Sequence, residues 1–133
     1  SSDFMTQMHA ERGSALAALR HYAECMSGLA QSPAGLSRNL AYLQIDLTDP
    51  DFRKHLVVQA RATRAGLEKL IEAAVAEGDL VKSVETARLA RTIEAVLSGA
   101  MITWGFYRQG TAAKWMREEM DAVLEPYLRR KKK

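Results

Sequence analysis

The sequence predicts an all-α fold, a five-helix bundle with orthogonal and antiparallel packing. Alanine, leucine, arginine and glutamate dominate the composition, whereas prolines are few and no run of alternating β-branched residues occurs. Helix-breaking stretches separate segments whose apolar residues recur at helical spacing. The segments are expected at about 8–31, 35–47, 50–77, 84–108 and 111–128. A length of 133 residues suits one domain with a substantial core.

The helix boundaries follow from local sequence signals. Pro33 ends the first segment, and the second carries an apolar stripe of leucines. Asp49 followed by Pro50 is a strong start signal for the third helix, which stops at Gly78. The fifth helix is predicted to begin at Thr111, after a glycine.

The end of the fourth helix is apolar on two sides. Its stretch VLSGAMITWGFY (96–107) has no charge but is too short to span a bilayer. Besides the core face, a second apolar face reads Ala95, Gly99, Ile102 and Phe106, and the fifth helix adds Trp115 and Ala122 away from its main stripe. Two successive helices with an extra apolar face indicate contact with another chain. The alternative is that an N-terminal part of a longer protein covers them.

Charge and cysteine content narrow the function classes. The net charge of +3 comes from the tail Arg129–Lys133, which we expect to be solvated and disordered. The rest of the chain has no basic stripe, which disfavours direct DNA binding. A single cysteine, Cys25, excludes an internal disulfide and is typical of a reducing cytoplasm.

Catalytic patterns are absent from the sequence. His9, His21 and His55 lack metal-ligand spacing, so neither a metal nor a cofactor is expected. His21 and Cys25 lie one helical turn apart and resemble a thiol–imidazole pair, although nothing marks an oxyanion site beside them. The sequence therefore does not predict an enzyme.

Three stretches carry a resemblance to a known family. They are LEKLIEAAVAEGDL (67–80), ETARLARTIEAVLSGAMITWGF (85–106) and GTAAKWMREEMDAVLEPYL (110–128). With this helix order, the chain resembles the C-terminal regulatory domain of tetracycline-repressor (TetR) family transcription regulators. The resemblance implies a bacterial, cytoplasmic, ligand-responsive repressor that dimerises through its last two helices. Residues 1–128 would form the regulatory domain and 1–8 the end of a linking helix. Operator DNA would be bound only by an N-terminal helix-turn-helix domain that this chain lacks.

The resemblance also implies an effector pocket among the first four helices. Its candidate residues lie on or beside core faces and are large, flexible or isolated polar side chains: Tyr22, Met26, Leu43, Gln59, Thr63, Leu97, Met101 and Trp104. Nothing in this set favours a charged effector, so a small apolar or aromatic molecule is expected. The alternative function is a helical protein-interaction module without a small-molecule ligand.

Overall fold

The computed structural model describes residues 2–30 and 32–130, and within them it is all-α, as predicted. Six α-helices and two short 3-10 helices follow one another in this part of the chain. They are α1 (Ser2–Arg12), α2 (Ala15–Met26), η1 (Ser27–Ala30), α3 (Pro33–Thr48), α4 (Pro50–Ala76), α5 (Thr86–Tyr107), α6 (Ala112–Leu124) and η2 (Glu125–Tyr127).

The first predicted helix, 8–31, is in fact divided into α1 and α2. Gly13 adopts a left-handed conformation with φ of +80°, which ends α1, and Ser14 caps α2 by accepting a hydrogen bond from the amide of Ala17 at 3.1 Å. Both signals are local, but the apolar stripe continues through the break and hides it. Of the residues assigned to a linking helix, 2–8 therefore belong to α1, which extends to Arg12, and residue 1 lies outside the described residues.

Proline starts both α3 and α4. Ser32 caps α3 by accepting from the amide of Gly35, and Pro33 is its first residue. Asp49 caps α4 by accepting from the amides of Asp51 and Phe52, which confirms the predicted start. Proline suits the first turn because its missing N–H would have no partner within the helix.

One core unites most of the helices. Its fully buried large side chains come from α2, α4, α5 and α6 and from the segment after α4: Leu19, Leu67, Ile71, Leu80, Ile93, Leu97, Met116, Met120 and Leu124. Two ion pairs link α2 to α6 outside this core, Arg20 with Asp121 at 2.8 Å and Arg117 with Glu24 at 3.1 Å.

The C-terminal segment is attached to the turn after α4. The amide of Val81 donates to the carbonyl of Tyr127, and the amide of Arg129 donates to the carbonyl of Asp79, both at 2.9 Å. The tail predicted to be disordered is therefore hydrogen-bonded at its first residue. Lys131, Lys132 and Lys133 lie outside the described residues.

By contrast, α3 and the first half of α4 form a pair of helices on which few side chains from the rest of the protein pack. Leu36 at the start of α3 is buried, but apolar side chains further along the pair are exposed. They include Leu40, Tyr42, Leu43, Ile45, Leu47, Phe52, Val57 and Val58. The pair is thus a second exposed apolar region, separate from the one predicted on the last two long helices.

Candidate functional site

The second apolar face of α5 is exposed. Ile102 keeps 47% of its surface exposed and Phe106 keeps 65%, while Ala95 and Gly99 are also exposed. A Cβ placed on Gly99 would meet nothing within 4 Å, so the backbone is open to close approach there. Large exposed apolar patches mark interaction sites on soluble proteins.

On α6, the same face continues with Trp115 and Ala122. Trp115 is half-buried and its indole N–H donates to the hydroxyl of Thr103 at 3.3 Å, whereas Ala122 is exposed. The ring of Tyr107 stacks on Trp115 at 6.0 Å and lies 4.8 Å from Phe106. The outer apolar face, defined as Ala95, Gly99, Ile102, Phe106, Trp115 and Ala122, thus ends in a row of aromatic rings.

Five of the eight pocket candidates meet in the core. Tyr22 and Leu97 are buried in the main cluster, with Met26 and Met101 packed against it. Trp104 belongs to a smaller cluster with Leu36 and Ala112, against which Met101 also packs. Met101 therefore touches both clusters and connects the candidates on α2 to the end of α5.

The other three candidates lie on the less covered helix pair. Leu43 on α3 and Gln59 on α4 are exposed, and Thr63 on α4 is half-buried. None of the three is a member of either core cluster. The sequence pattern placed them on or beside core faces, but few side chains cover those faces at this end of the pair.

The indole N–H of Trp104 has a protein partner. It donates to the carbonyl of Gly110 at 3.2 Å, and the residue is 8% exposed. A buried indole N–H needs a hydrogen-bond acceptor, which a ligand, water or a backbone carbonyl could supply, and here the carbonyl of Gly110 supplies it. Trp104 therefore needs no ligand to satisfy its polar atom.

A charged pair lies next to Tyr22. The guanidinium of Arg64 on α4 donates to the carboxylate of Glu94 on α5 through two nitrogens, at 2.7 and 3.3 Å. Burial raises the pKa of Tyr22 to about 12, and the negative charge of Glu94 adds to the shift. The hydroxyl of Tyr22 makes no hydrogen bond to the described residues.

The concave regions around α4 are lined by other residues. A small cavity of about 60 Å³ lies between α1 and α4, lined by Met5, Thr6, His9, Gly66, Lys69 and Leu70. An open groove follows α4 and the start of α5, lined largely by charged side chains, among them Arg64, Glu68, Arg88 and Arg91. Neither contains a predicted pocket residue, so the pocket assignment stays a prediction.

The thiol–imidazole contact exists, and the surroundings of the thiol raise its pKa. The sulfur of Cys25 lies 3.3 Å from Nε2 of His21. Desolvation raises the pKa of the Cys25 thiol despite the opposing effect of Arg12, and Glu24 adds to the rise. Within residues 2–30 and 32–130, no three histidine, cysteine, aspartate or glutamate side chains gather as a metal site.

Sequence reasoning missed two charged groups. The sequence analysis assigned no role to Glu94 or to Glu77. Glu94 approaches Tyr22 through tertiary packing, which has no sequence signal. Glu77 accepts the amide of Ala15 at 2.7 Å, and the capping residue Ser14 was the one signal that a helix start lay nearby.

The family model described as tetracyclin repressor-like, C-terminal domain matches residues 39–120. The chain belongs to this family. Comparisons with curated proteins and with solved structures give no match. The matched range includes most of α3 and all of α4 and α5, and it ends within α6. The resemblance stated from three sequence stretches is thereby confirmed.

Membership makes the chain part of a TetR-like transcription regulator. C-terminal domains of this family are generally dimerisation and ligand-binding regions, and they are generally non-enzymatic. In the part of the chain that the structure describes, no helix is both long and apolar enough to cross a bilayer.

Proposed function

We propose that the chain is the effector-binding and dimerisation domain of a TetR-like repressor. In this proposal, residues 1–128 receive a small apolar or aromatic effector, and a separate N-terminal helix-turn-helix domain binds operator DNA. The protein acts in the cytoplasm, without a cofactor or catalytic activity.

The observation that carries the proposal is the exposed outer apolar face on α5 and α6. Phe106 and Ile102 are large apolar side chains that water surrounds in the monomer, next to the open backbone at Gly99. A symmetric dimer buries the same face of each protomer against its copy, so each apolar residue there is buried twice. C-terminal domains of the family are generally dimerisation regions, which supports a dimer, and the exposure of this face supports its choice as the interface.

The effector site is proposed around Met101. Met26 and Met101 are half-buried, flexible side chains packed against the main cluster, and Met101 also packs against the smaller one. Methionine adapts to irregular ligand shapes. Tyr22 offers a neutral hydroxyl with no hydrogen bond to the described residues, which suits a weakly polar aromatic molecule better than an anion.

Replacing Phe106 by glutamate tests the dimer. One such substitution places two carboxylates in a symmetric interface, where desolvated like charges repel. The unmodified chain is expected to sediment as a dimer at tens of micromolar, and Phe106→Glu as a folded monomer. Phe52→Glu on α4 is the matched control, because Phe52 is similarly exposed, at 51% against 65%.

The two variants also separate the proposal from its alternative. Phe52→Glu should leave the dimer intact. If Phe52→Glu dissociates the dimer and Phe106→Glu does not, the interface lies on the α3–α4 pair. An unmodified chain that is monomeric at these concentrations would contradict dimerisation and favour an interaction module for another protein.

A further inference from the structure

Two hydrogen bonds, each with a histidine as one partner, attach α1 to the end of α4 and to α2. His9 on α1 contacts Glu77 at the end of α4, with 2.9 Å between Nε2 and Oε2. Arg12 at the end of α1 contacts His21 on α2, with 3.0 Å between a guanidinium nitrogen and Nε2. Met5 of α1 is also buried. Apolar contacts therefore combine with bonds whose strength depends on protonation.

Glu77 joins three helices at one carboxylate. Its Oε1 accepts the amide of Ala15 at the start of α2 at 2.7 Å, and its Oε2 accepts from His9. The Ala15 amide is the first cause that lowers the pKa of Glu77, and His9 is the second, so Glu77 is ionised at neutral pH. An ionised carboxylate only accepts hydrogen bonds, which places a proton on Nε2 of His9.

Protonation of His9 turns a neutral hydrogen bond into an ion pair. Nε2 already carries a proton, so the second proton adds charge without breaking the contact. Lys69 on α4 lines the same small cavity as His9 and opposes this charge. Glu77 is in direct contact with His9, and its negative charge stabilises the positive charge of the protonated ring. A fall in pH therefore strengthens the contact that attaches α1 at His9.

Protonation of His21 has the opposite effect. A guanidinium only donates, so Nε2 of His21 must be unprotonated to accept from Arg12. A proton on Nε2 removes this bond and brings two cations together. Glu24 lies 3.6 Å from Nδ1 and attracts the ring's charge, but it is also bonded to Arg117 of α6. Cys25 is the other group facing this ring.

We propose that His9 and His21 make the attachment of α1 depend on pH. A fall in pH strengthens the contact between His9 and Glu77 and weakens the contact between Arg12 and His21. When both rings are neutral, Arg12 is bonded to His21 and His9 makes a neutral bond to Glu77. When both rings are protonated, the His9–Glu77 ion pair tightens and Arg12 is released. Both contacts lie in the last turn of α1, so protonation transfers its attachment from α2 to the end of α4.

Amide hydrogen exchange of α1, measured by NMR and corrected for the intrinsic effect of pH, tests this. His21→Gln keeps an acceptor for Arg12 but does not titrate, and His9→Gln keeps a donor for Glu77. From about pH 8 to pH 6, α1 protection should rise about two- to fivefold in His21→Gln and fall by a similar factor in His9→Gln. Both side chains are partly exposed, at 26% and 33%, so the fold should tolerate glutamine.

His55→Gln is the matched control, because His55 is exposed on α4 and should change nothing. Combining Glu77→Gln with His21→Gln should remove the rise in α1 protection that is expected in His21→Gln at lower pH. The same pH trend in His9→Gln and His21→Gln overturns the proposal. In the unmodified protein, the Ala15 amide proton should shift together with the His9 ring resonances. An Ala15 resonance that is constant between about pH 5 and 8 overturns the His9 half without any substitution.

Discussion

At the scale of single residues, burial and neighbouring charge decide how the polar side chains behave. Tyr22 is 9% exposed with its ring in the main cluster, and Glu94 lies close enough to oppose its ionisation. A tyrosine in these surroundings remains neutral far into the alkaline range. The same carboxylate is bonded to Arg64, so α2, α4 and α5 share one electrostatic contact.

The stability of the protein should therefore depend on Tyr22 at high pH. Its pKa is raised from 10.0 to about 12, so the neutral form is favoured by folding. The resulting stabilisation is fully present below pH 10 and is lost as pH rises toward 12. Tyr22→Phe removes this loss, and near neutral pH it should change the free energy of unfolding little, because the hydroxyl makes no hydrogen bond to the described residues.

Chemical denaturation at neutral pH and at about pH 11 measures the effect. The difference in free energy between Tyr22→Phe and the unmodified protein should grow in favour of the variant by about 1 kcal/mol or more. Tyr42→Phe is the control, since Tyr42 is 60% exposed, and it should follow the unmodified protein. If the free energy of unfolding changes by the same amount between the two pH values in all three proteins, the role assigned to Tyr22 is contradicted.

At the scale of helices, two glycines of similar local structure have different surroundings. Gly66 of α4 faces Met5 of α1 so closely that a Cβ would overlap the sulfur of Met5. Gly99 of α5 faces open space. Glycine inside a helix weakens it by about 1 kcal/mol relative to alanine, so any difference between these sites comes from packing.

Alanine should stabilise the protein at Gly99 but not at Gly66. Gly99→Ala should raise the free energy of unfolding by about 1 kcal/mol. Gly66→Ala should be about 1–3 kcal/mol less stable than Gly99→Ala, because Met5 is 2% exposed and has to move. Both variants are compared in the Phe106→Glu background, so that self-association does not contribute.

A double-mutant cycle identifies the cause. In a Met5→Ala background, the penalty of Gly66→Ala should disappear, since the overlapping side chain is gone. A penalty that persists would mean that α1 is not packed against Gly66.

At the scale of the whole molecule, two exposed apolar regions compete as interfaces. The outer apolar face lies on α5 and α6, and the other region on α3 and the first half of α4. C-terminal domains of the family are generally dimerisation regions, and we assign the dimer to the outer apolar face, which leaves the α3–α4 pair free for the effector site that we propose. Gln59 and Thr63 on that pair would then come close to a ligand only if the pair moves toward the core.

Effector binding should raise the melting temperature, because a ligand that binds only the folded state stabilises it by mass action. An aromatic ligand should also alter the emission of Trp104 once Trp115 is replaced by phenylalanine. Met101→Trp should abolish both responses while the dimer persists, since Met101 packs against both core clusters.

The contrary result is equally specific. If Met101→Trp is destabilised by about 1–3 kcal/mol and a broad set of apolar compounds moves neither signal, the core is filled and holds no effector site.

The sequence alone determined the fold class and most helix limits, because these depend on periodic apolar residues and local capping. The family followed from the resemblance of three sequence stretches. Asp49 before Pro50 sets the start of α4 wherever the helix lies. The exposed positions of Ile102 and Phe106 were also predictable, since an apolar face opposite the core face has no partner within one bundle. Even the break at Gly13 was a local signal, obscured by a continuous stripe.

Only the tertiary structure decided which side chains meet. Glu77 reaches Ala15 across 62 residues, and Arg64 reaches Glu94 across 30. The partner of the Trp104 N–H is the carbonyl of Gly110, which residue identity does not encode. Helical periodicity says which face of a helix is apolar, but it does not say what covers that face. The cover depends on how the helices cross, and this is why Leu97 is buried while Leu43 is exposed.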